Sequence, residues 1–278
     1  MSQGGKLPDL SRPQLMAIVN VTDDSFYNGC RFMYDGEVAK RIERAVVEGA
    51  SIIDIGGYSS RPNAVDVSVE EEWTRVKCGL SALRRVAADV AVSVDTFREE
   101  VARRAVEDFG QIIVNDISAG EADDRMIDLV AQYKLPYVAM HMRGTPQTMQ
   151  GMTDYPRGVV TEVCDYFRRR VNELSERGVK NVIVDPGFGF AKTLVQNYEL
   201  LAGLHNLTND GYPVLVGLSR KSMISKVLEV DAAEALNGTT ALHWEALRQG
   251  AKILRVHDVA EASQVIKLYT EYEKWVLR

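Results

Sequence analysis

Residues 181–190 read NVIVDPGFGF, and they are the most informative stretch of the chain. A short apolar run ends in the carboxylate Asp185, and a turn rich in glycine and phenylalanine follows. The pattern predicts a buried strand with an acidic last side chain and a tight loop after it. The same arrangement recurs in SIIDIGG at 51–57, AVSVDTF at 91–97 and IIVNDIS at 112–118. Because an unpaired charge in a core is costly, several polar strand ends predict one shared polar site.

Short apolar runs rich in Val, Ile and Leu recur along the chain, as is typical of strands buried on both faces. They span 15–20, 51–56, 91–95, 112–115, 136–141, 181–185, 213–217 and 251–256. Amphipathic helical patterns separate most of them, and the clearest span 37–48, 98–108, 158–177 and 231–249. Strands and helices that alternate in this way over about 250 residues predict an α/β fold, the (β/α)8 or TIM barrel. The alternative is a doubly wound open sheet, but the sequence has no GxGxxG motif after its first strand.

The composition is typical of one globular domain, expected over residues 1–278 with a core at about 14–270. The chain is 46% hydrophobic and 26% charged, with a net charge of −6, which argues against nonspecific nucleic-acid binding. Neither a membrane span nor a signal peptide is expected, since no long apolar window exists. Cys30, Cys78 and Cys164 are scattered without CxxC spacing. We therefore expect no disulfide framework and no structural zinc, and a reducing cytoplasm as the location.

In a TIM barrel the carboxyl ends of the strands form the catalytic face. The polar residues predicted there are Asn20, Asp54, Asp95, Asn115, His141, Asp185 and Arg255. Any one of them could instead cap a helix or hold a loop, but the full ring favours a shared site. We interpret His141 as structural rather than as a metal ligand.

Two cationic stretches follow the last two strands, VGLSRKSMI at 216–224 and LRVHDV at 254–259. They bring together Gly217, Ser219, Arg220, Lys221, Arg255 and His257. The loops after strands 7 and 8 of such barrels commonly bind phosphate, so an anionic substrate is predicted there. Opposite, Asp95, Asn115 and Asp185 predict an acceptor-rich pocket for the edge of a heterocycle with several N–H donors. The pattern alone does not name the ring.

Together these motifs resemble those of the dihydropteroate synthase family, over about residues 14–270. The resemblance rests on IVNVT-DSF, DIGG-S-RP, SVDTF, VNDIS, MHMRGTPQTMQ, DPGFGF, GLSRKS and RVHDV, which occur in family order. It implies a TIM barrel, usually a homodimer, that is a sulfonamide target. The implied reaction condenses 4-aminobenzoate with 6-hydroxymethyl-7,8-dihydropterin diphosphate, releasing diphosphate and 7,8-dihydropteroate.

The resemblance also implies roles for particular residues. The catalytic ones are expected to be Lys221, Arg255, Asp95 and Asp185. The pterin edge would be read by Asp95, Asn115 and Asp185, and the slot walled by Ile117, Met140, Phe190 and Gly217. Lys221 would lie beside the pterin carbonyl and the aminobenzoate, and Arg255 would stack near the pterin and touch the diphosphate. The anion site would use Asn20, Arg61 and His257, with Asn20 binding Mg²⁺. The aminobenzoate pocket would involve Phe26, Ser60, Pro62 and Ser219.

The chain departs from the family pattern in the loops after the first two predicted strands. The usual proline, glutamate, threonine and glycine are replaced by Asp23, Tyr58, Ser60 and Asn63. Two alternatives therefore stay open. One is a methyltetrahydrofolate-binding methyltransferase barrel, which shares the Asp, Asn and Asp pattern. The other is a non-catalytic pterin-binding paralogue with disabled loops.

Overall fold

The strands form one parallel sheet that closes on itself. The computed structural model describes residues 8–21, 33–59, 66–145 and 147–276, and the sheet has eight strands in the order β6-β5-β4-β3-β2-β1-β8-β7. Their bounds are β1 Gln14–Asn20, β2 Ile52–Gly56, β3 Ala91–Asp95, β4 Ile113–Asp116, β5 Tyr137–Met140, β6 Val182–Asp185, β7 Leu215–Val216 and β8 Ile253–Val256. Val184 in β6 forms a parallel bridge with Val214, just before β7. This bridge joins the two ends of the sheet, so the predicted barrel is confirmed and the open sheet is wrong.

Helices follow the strands and cover the outside of the barrel. They are α1 Met33–Glu48, α2 Val69–Val86, α3 Glu99–Phe109, α4 Arg125–Tyr133, α5 Val159–Glu176, α6 Leu194–Ala202, α7 His205–Asn209, α8 Ser222–Leu228, α9 Leu236–Arg248 and α10 Val259–Val276. In α3 the stripe of Val101, Ala102, Ala105 and Val106 is buried while arginine and glutamate side chains occupy the other face. Within the described ranges, no helix is both long and apolar enough to cross a membrane.

One predicted helix is wrong in its extent. The pattern over 231–249 predicts a single helix, whereas the structure has a 3₁₀ turn at Ala232–Glu234 and then a separate α9. The guanidinium of Arg220 donates to the carbonyl oxygens of Ala232 and Ala233. Those two carbonyls lie where a continuous helix would need them as acceptors, so a tertiary contact divides the segment.

The interior of the barrel changes from apolar to polar along each strand. Side chains two residues apart on a strand point to the same face. A closed apolar layer is formed by Met16, Ile52, Ala91, Ile113, Val138, Ile183, Leu215 and Ile253. Two residues further along the same strands come Ile18, Asp54, Ser93, Asn115, Met140, Asp185, Gly217 and Arg255. A packed floor therefore lies directly beneath a largely polar layer at the carboxyl ends of the strands.

The loop after β6 requires glycine at one position. Gly187 has a φ of 69°, and a Cβ atom there would lie 2.1 Å from the carbonyl oxygen of His141. Its N–H donates to Asp185 Oδ1 at 2.8 Å. The glycine thus lets the chain turn back closely over the end of β5 while the preceding carboxylate is held in place.

We predict that Gly187→Ala lowers the free energy of unfolding by clearly more than Gly211→Ala does. Both glycines have a positive φ, but nothing lies within 4 Å of a Cβ atom at Gly211. The Gly211 variant should therefore lose only about 1 kcal/mol of unfolding free energy, from backbone strain. The Gly187 variant should lose that amount and, in addition, the energy of a steric clash. Urea unfolding of both variants measures the difference, and equal losses would contradict the close approach.

Candidate active site

Arg255 lies at the centre of the barrel mouth between two carboxylates. Its Nε donates to Asp54 Oδ2 at 2.7 Å, and its terminal nitrogen donates to Asp95 Oδ2 at 2.6 Å. The amide nitrogen of Asn115 also donates to Asp54 Oδ2, at 3.2 Å. Asp54 is wholly buried. Four strands thus contribute to one hydrogen-bonded network, which we call the Asp54 network: Asp54, Asp95, Asn115 and Arg255.

The predicted pterin readers Asp95 and Asn115 belong to this network, and Asp185 lies on the other side of the mouth, on β6. Asp185 is buried, and burial raises the pKa of its carboxyl group while the nearby charge of Lys221 opposes that rise. Burial also raises the pKa of Asp95, against the charge of Arg255. The Asp95 side chain is 21% exposed and pairs with Arg255 at 2.6 Å, and both features favour its ionised form.

Lys221 follows β7 and faces the loop after β6. Its ammonium group donates to the carbonyl oxygen of Phe188 and lies 5.0 Å from the ring centre of Phe190. Burial lowers the pKa of Lys221 to about 8, although Asp185 opposes the shift. A Cβ atom at Gly217 would lie 3.9 Å from Lys221 Nζ and 4.0 Å from Arg255 Cβ. Glycine at this position therefore leaves room for a ligand between the two cations.

Asn20 and Asp95 face each other across Gly56. The strand register pairs Gly56 with Asn20 on one side and with Asp95 on the other. A Cβ atom at Gly56 would lie 3.3 Å from Asn20 Oδ1 and 3.7 Å from Asp95 Oδ2. The absence of a side chain on β2 thus leaves a small recess lined by an amide oxygen and a carboxylate oxygen.

The remaining predicted residues have different positions. Ile117 and Met140 are buried after β4 and at the end of β5, as walls of a slot would be. Ser219 is buried and its hydroxyl accepts from the His257 backbone N–H at 3.3 Å, which ties the loops after β7 and β8 together, and His257 itself is exposed. Four predicted residues lie outside the described part of the chain, namely Phe26, Ser60, Arg61 and Pro62.

The prediction that Arg220 belongs to the cationic cluster is wrong. Its guanidinium makes a bidentate ion pair with Asp258, with both distances at 2.8 Å, and also holds the 3₁₀ turn before α9. The sequence places Arg220 beside Lys221, but Arg220 binds Asp258 whereas Lys221 donates to the Phe188 carbonyl oxygen. Arg220 is therefore a structural residue that links the loops after β7 and β8.

Two functional candidates lie outside the predicted set of binding residues. The sequence predicts Asp54 at the barrel mouth without a specific role, and in the structure it is the common acceptor for Asn115 and Arg255. Lys192 follows the DPGFGF turn, and its ammonium group lies 3.1 Å from His141 Nδ1. Its position directly after the turn was the only signal in the sequence. His141 is packed against Tyr166, with ring centres 4.9 Å apart, and burial holds its pKa well below the usual value.

Comparison with known proteins gives the family of this site. Residues 16–257 match the model of the pterin-binding enzyme family. The chain is 42% identical to the dihydropteroate synthase of Haemophilus influenzae, over 95% of both chains. It is 40% identical to the Escherichia coli K12 enzyme of the same name, over 96% of this chain and 94% of that one.

The chain belongs to the dihydropteroate synthase family. Solved structures of the family agree with the fold. A Yersinia pestis dihydropteroate synthase in complex with a sulfonamide drug aligns with a TM-score of 0.88 and 37% identity, covering 99% of this chain and 98% of that one. A Thermus thermophilus dihydropteroate synthase in complex with 4-aminobenzoate aligns with a TM-score of 0.83 and 37% identity, over 95% of both chains.

We predict that Asp185→Asn weakens pterin binding strongly and leaves the fold intact. The amide oxygen can keep the Gly187 N–H bond, so the new NH₂ group would face the donors of the pterin edge. Loss of a charge-assisted pair of this kind costs about 1.5–3 kcal/mol, or about tenfold to 150-fold in Kd.

Calorimetric titration with a pterin, run beside a thermal melt, tests this assignment. Asp123→Asn is the matched control, because that carboxylate pairs with Arg125 outside the barrel mouth and its variant should bind pterin normally. Unchanged pterin affinity in Asp185→Asn would refute the role, and loss of the folded state would show that Asp185 is structural.

Proposed function

We propose that this chain catalyses the dihydropteroate synthase reaction, the condensation of 4-aminobenzoate with 6-hydroxymethyl-7,8-dihydropterin diphosphate. The observation that carries the proposal is the barrel mouth itself: Asp95, Asn115 and Asp185 line it together with the cations Lys221 and Arg255. Acceptors read the N–H edge of a pterin, and cations attract its diphosphate. A methyltetrahydrofolate-binding barrel would need the acceptors but not this pair of cations.

The orientation of Asn115 supports pterin recognition. Its amide nitrogen donates to Asp54, so its oxygen is directed elsewhere and can accept from the ligand. Asp185 uses Oδ1 for the Gly187 N–H, and its other oxygen can then accept from the ring. An acceptor on β4 and another on β6 suit the N–H and NH₂ donors of the pterin edge.

The chemistry proposed for this site is a substitution at the exocyclic methylene carbon. The carbon–oxygen bond breaks and diphosphate leaves with the electron pair, which places positive charge on the methylene group and the pterin. The amine of 4-aminobenzoate then forms the carbon–nitrogen bond and loses a proton. Asp95 and Asp185 stabilise the positive charge electrostatically, Arg255 stabilises the departing diphosphate, and Lys221 lies beside the pterin carbonyl and the aminobenzoate.

Diphosphate release provides the direct test. We expect release only when both the pterin diphosphate and 4-aminobenzoate are present, and we expect a sulfonamide to compete with 4-aminobenzoate. Asp185→Asn serves as the control with weakened pterin binding, and it should release diphosphate more slowly at the same substrate concentration. Pterin binding without any diphosphate release would instead identify a non-catalytic paralogue, and methyl transfer from methyltetrahydrofolate would identify the other alternative.

The recess between Asn20 and Asp95 suits Mg²⁺. Both atoms that line it are oxygens, the ligand type that Mg²⁺ prefers, and Mg²⁺ commonly takes one or two protein ligands beside substrate phosphates and water. Among the described residues there is no group of three His, Cys, Asp or Glu side chains able to hold a metal ion. A Mg²⁺ ion here would be held mainly through Asn20, and when bound it would neutralise charge on the diphosphate.

We predict that Asn20→Ala removes the effect of Mg²⁺ on diphosphate binding. In the unmodified chain diphosphate should bind more tightly with Mg²⁺ than with a chelator, and in the variant the two affinities should converge. Calorimetry with inorganic diphosphate measures this without turnover. A Mg²⁺ effect of the same size in both proteins would exclude Asn20 as a ligand.

We also propose an oligomeric state and a cellular location. A homodimer is supported by exposed apolar side chains on two helices that contact each other, Val195 on α6 and Val227 on α8, which are 65% and 53% exposed. Sedimentation should then give twice the chain mass of 31.0 kDa, and Val195→Glu should give the single mass. A cytoplasmic location is supported by the free thiol of Cys164, since a reducing compartment keeps cysteines unpaired.

A further inference from the structure

A second lysine lies against the loop that follows β6. Lys192 is 5% exposed, and its ammonium group has three partners: His141 Nδ1 at 3.1 Å, the Gly187 carbonyl oxygen at 3.0 Å and the Phe190 carbonyl oxygen at 2.9 Å. An ammonium group has three N–H donors, so each has an acceptor. In the described part of the chain, no carboxylate is among the hydrogen-bond partners of this ammonium group.

A buried cation bonded only to uncharged acceptors is unfavourable for stability. Burial lowers the pKa of Lys192 to about 7, against the attraction of the more distant Asp185. An apolar side chain of similar length would fill the same space without this desolvation cost. The lysine must therefore contribute something that packing alone does not, and its acceptors indicate what that is.

Two of the three acceptors belong to the turn that also holds the other lysine. Lys192 binds the carbonyl groups of Gly187 and Phe190, and the carbonyl of Phe188, between them, accepts from Lys221. The carbonyl directions of neighbouring residues in a tight turn are coupled through the backbone dihedrals they share. Holding the first and last carbonyl of this turn therefore fixes the one that Lys221 contacts.

Other buried groups hold the same turn at its far side. The Gly189 N–H donates to Asn197 Oδ1 at 2.7 Å, and the Tyr155 hydroxyl donates to the Ala191 carbonyl oxygen at 3.1 Å. Neither contact reaches the Gly187 or Phe190 carbonyl. The Phe190 N–H donates to the Gly187 carbonyl oxygen at 3.1 Å and closes the turn. Without Lys192 the Gly187 carbonyl would keep that one donor, whereas the Phe190 carbonyl would lose its buried lysine donor, and the end of the turn that carries the Phe190 ring would be held less firmly.

We propose that Lys192 is a positioning residue for the reaction, one that acts through the turn at 187–190 to hold Lys221 and Phe190 in place. It touches no substrate in this scheme. The proposal rests on the proposed reaction for its catalytic consequence, but the placement of Lys221 can be measured without any turnover.

The kinetic test uses Lys192→Met, which keeps the length of the side chain and removes its donors. Active sites are counted by pterin titration, so that partial unfolding does not lower the apparent rate. We expect kcat per pterin-binding site to fall at least about tenfold, because a misplacement of about 1 Å can cost about 100-fold. The pterin Kd should change much less, since Asp95, Asn115 and Asp185 lie on strands. Lys192→Gln, which retains two N–H donors, should recover part of the loss.

The second test measures the reactivity of Lys221 directly. Reductive methylation with formaldehyde, followed by peptide mass spectrometry, should modify Lys221 faster in Lys192→Met than in the unmodified chain. Lys180→Met is the matched control, because Lys180 is exposed and lies at the other end of β6, and it should change neither measurement. This readout stands even if the unmodified chain releases no diphosphate, a result that would overturn the proposed function alone.

Two outcomes would overturn the proposal. The first is a folded Lys192→Met with kcat per pterin-binding site and Lys221 reactivity both within about twofold of the unmodified chain, a difference of about 0.4 kcal/mol at most. The second is failure of both the Met and the Gln variants to fold or bind pterin, which would make Lys192 a residue of the fold rather than of the site.

Discussion

The ion pairs between Arg255 and the carboxylates of Asp54 and Asp95 are the interaction on which the rest of the site depends. Asp54 is wholly buried, and a charge in that position is tolerated only because it is paired and also accepts from Asn115. Removing one partner of such a pair typically costs about 3–5 kcal/mol. The same contacts orient the Asn115 amide and hold Asp95 at the mouth. One network therefore stabilises the barrel interior and prepares two of the predicted pterin contacts.

The network forms because every second side chain along each strand points into the barrel. The first inward layer is entirely apolar, and the next layer carries most of the polar groups. The neighbouring pair Asn115 and Asp116 illustrates the consequence. Asn115 points to the mouth, whereas Asp116 points outward, where it accepts from Ser118, Gly120 and the hydroxyl of Tyr137. Asn115 thus serves the site at the barrel mouth, and the adjacent Asp116 holds the loop after β4.

The loop after β6 completes the site from the opposite side. Gly187 allows a close approach to the end of β5, and buried donors then hold the turn in one arrangement. The cations Lys221 and Lys192 both contact carbonyl groups of this turn, one at the mouth and one beneath it. Their different surroundings separate their roles: Lys221 lies near Asp185 and the space left by Gly217, while Lys192 is enclosed by uncharged acceptors.

The sequence by itself determined the barrel, the identity of its polar strand ends and the family. The reason is that strand periodicity and the motifs are patterns of residues close together in the chain, which can be seen without the tertiary structure. It also placed Asp95, Asn115, Asp185 and Lys221 at one face, since the carboxyl ends of parallel strands must meet. Only the tertiary structure decided that Arg220 binds Asp258, that a 3₁₀ turn divides 231–249, and that Asp54 and Lys192 organise the site. Each of these depends on contacts between residues far apart in the chain, and local pattern carries no information about which distant partner a charged side chain will meet.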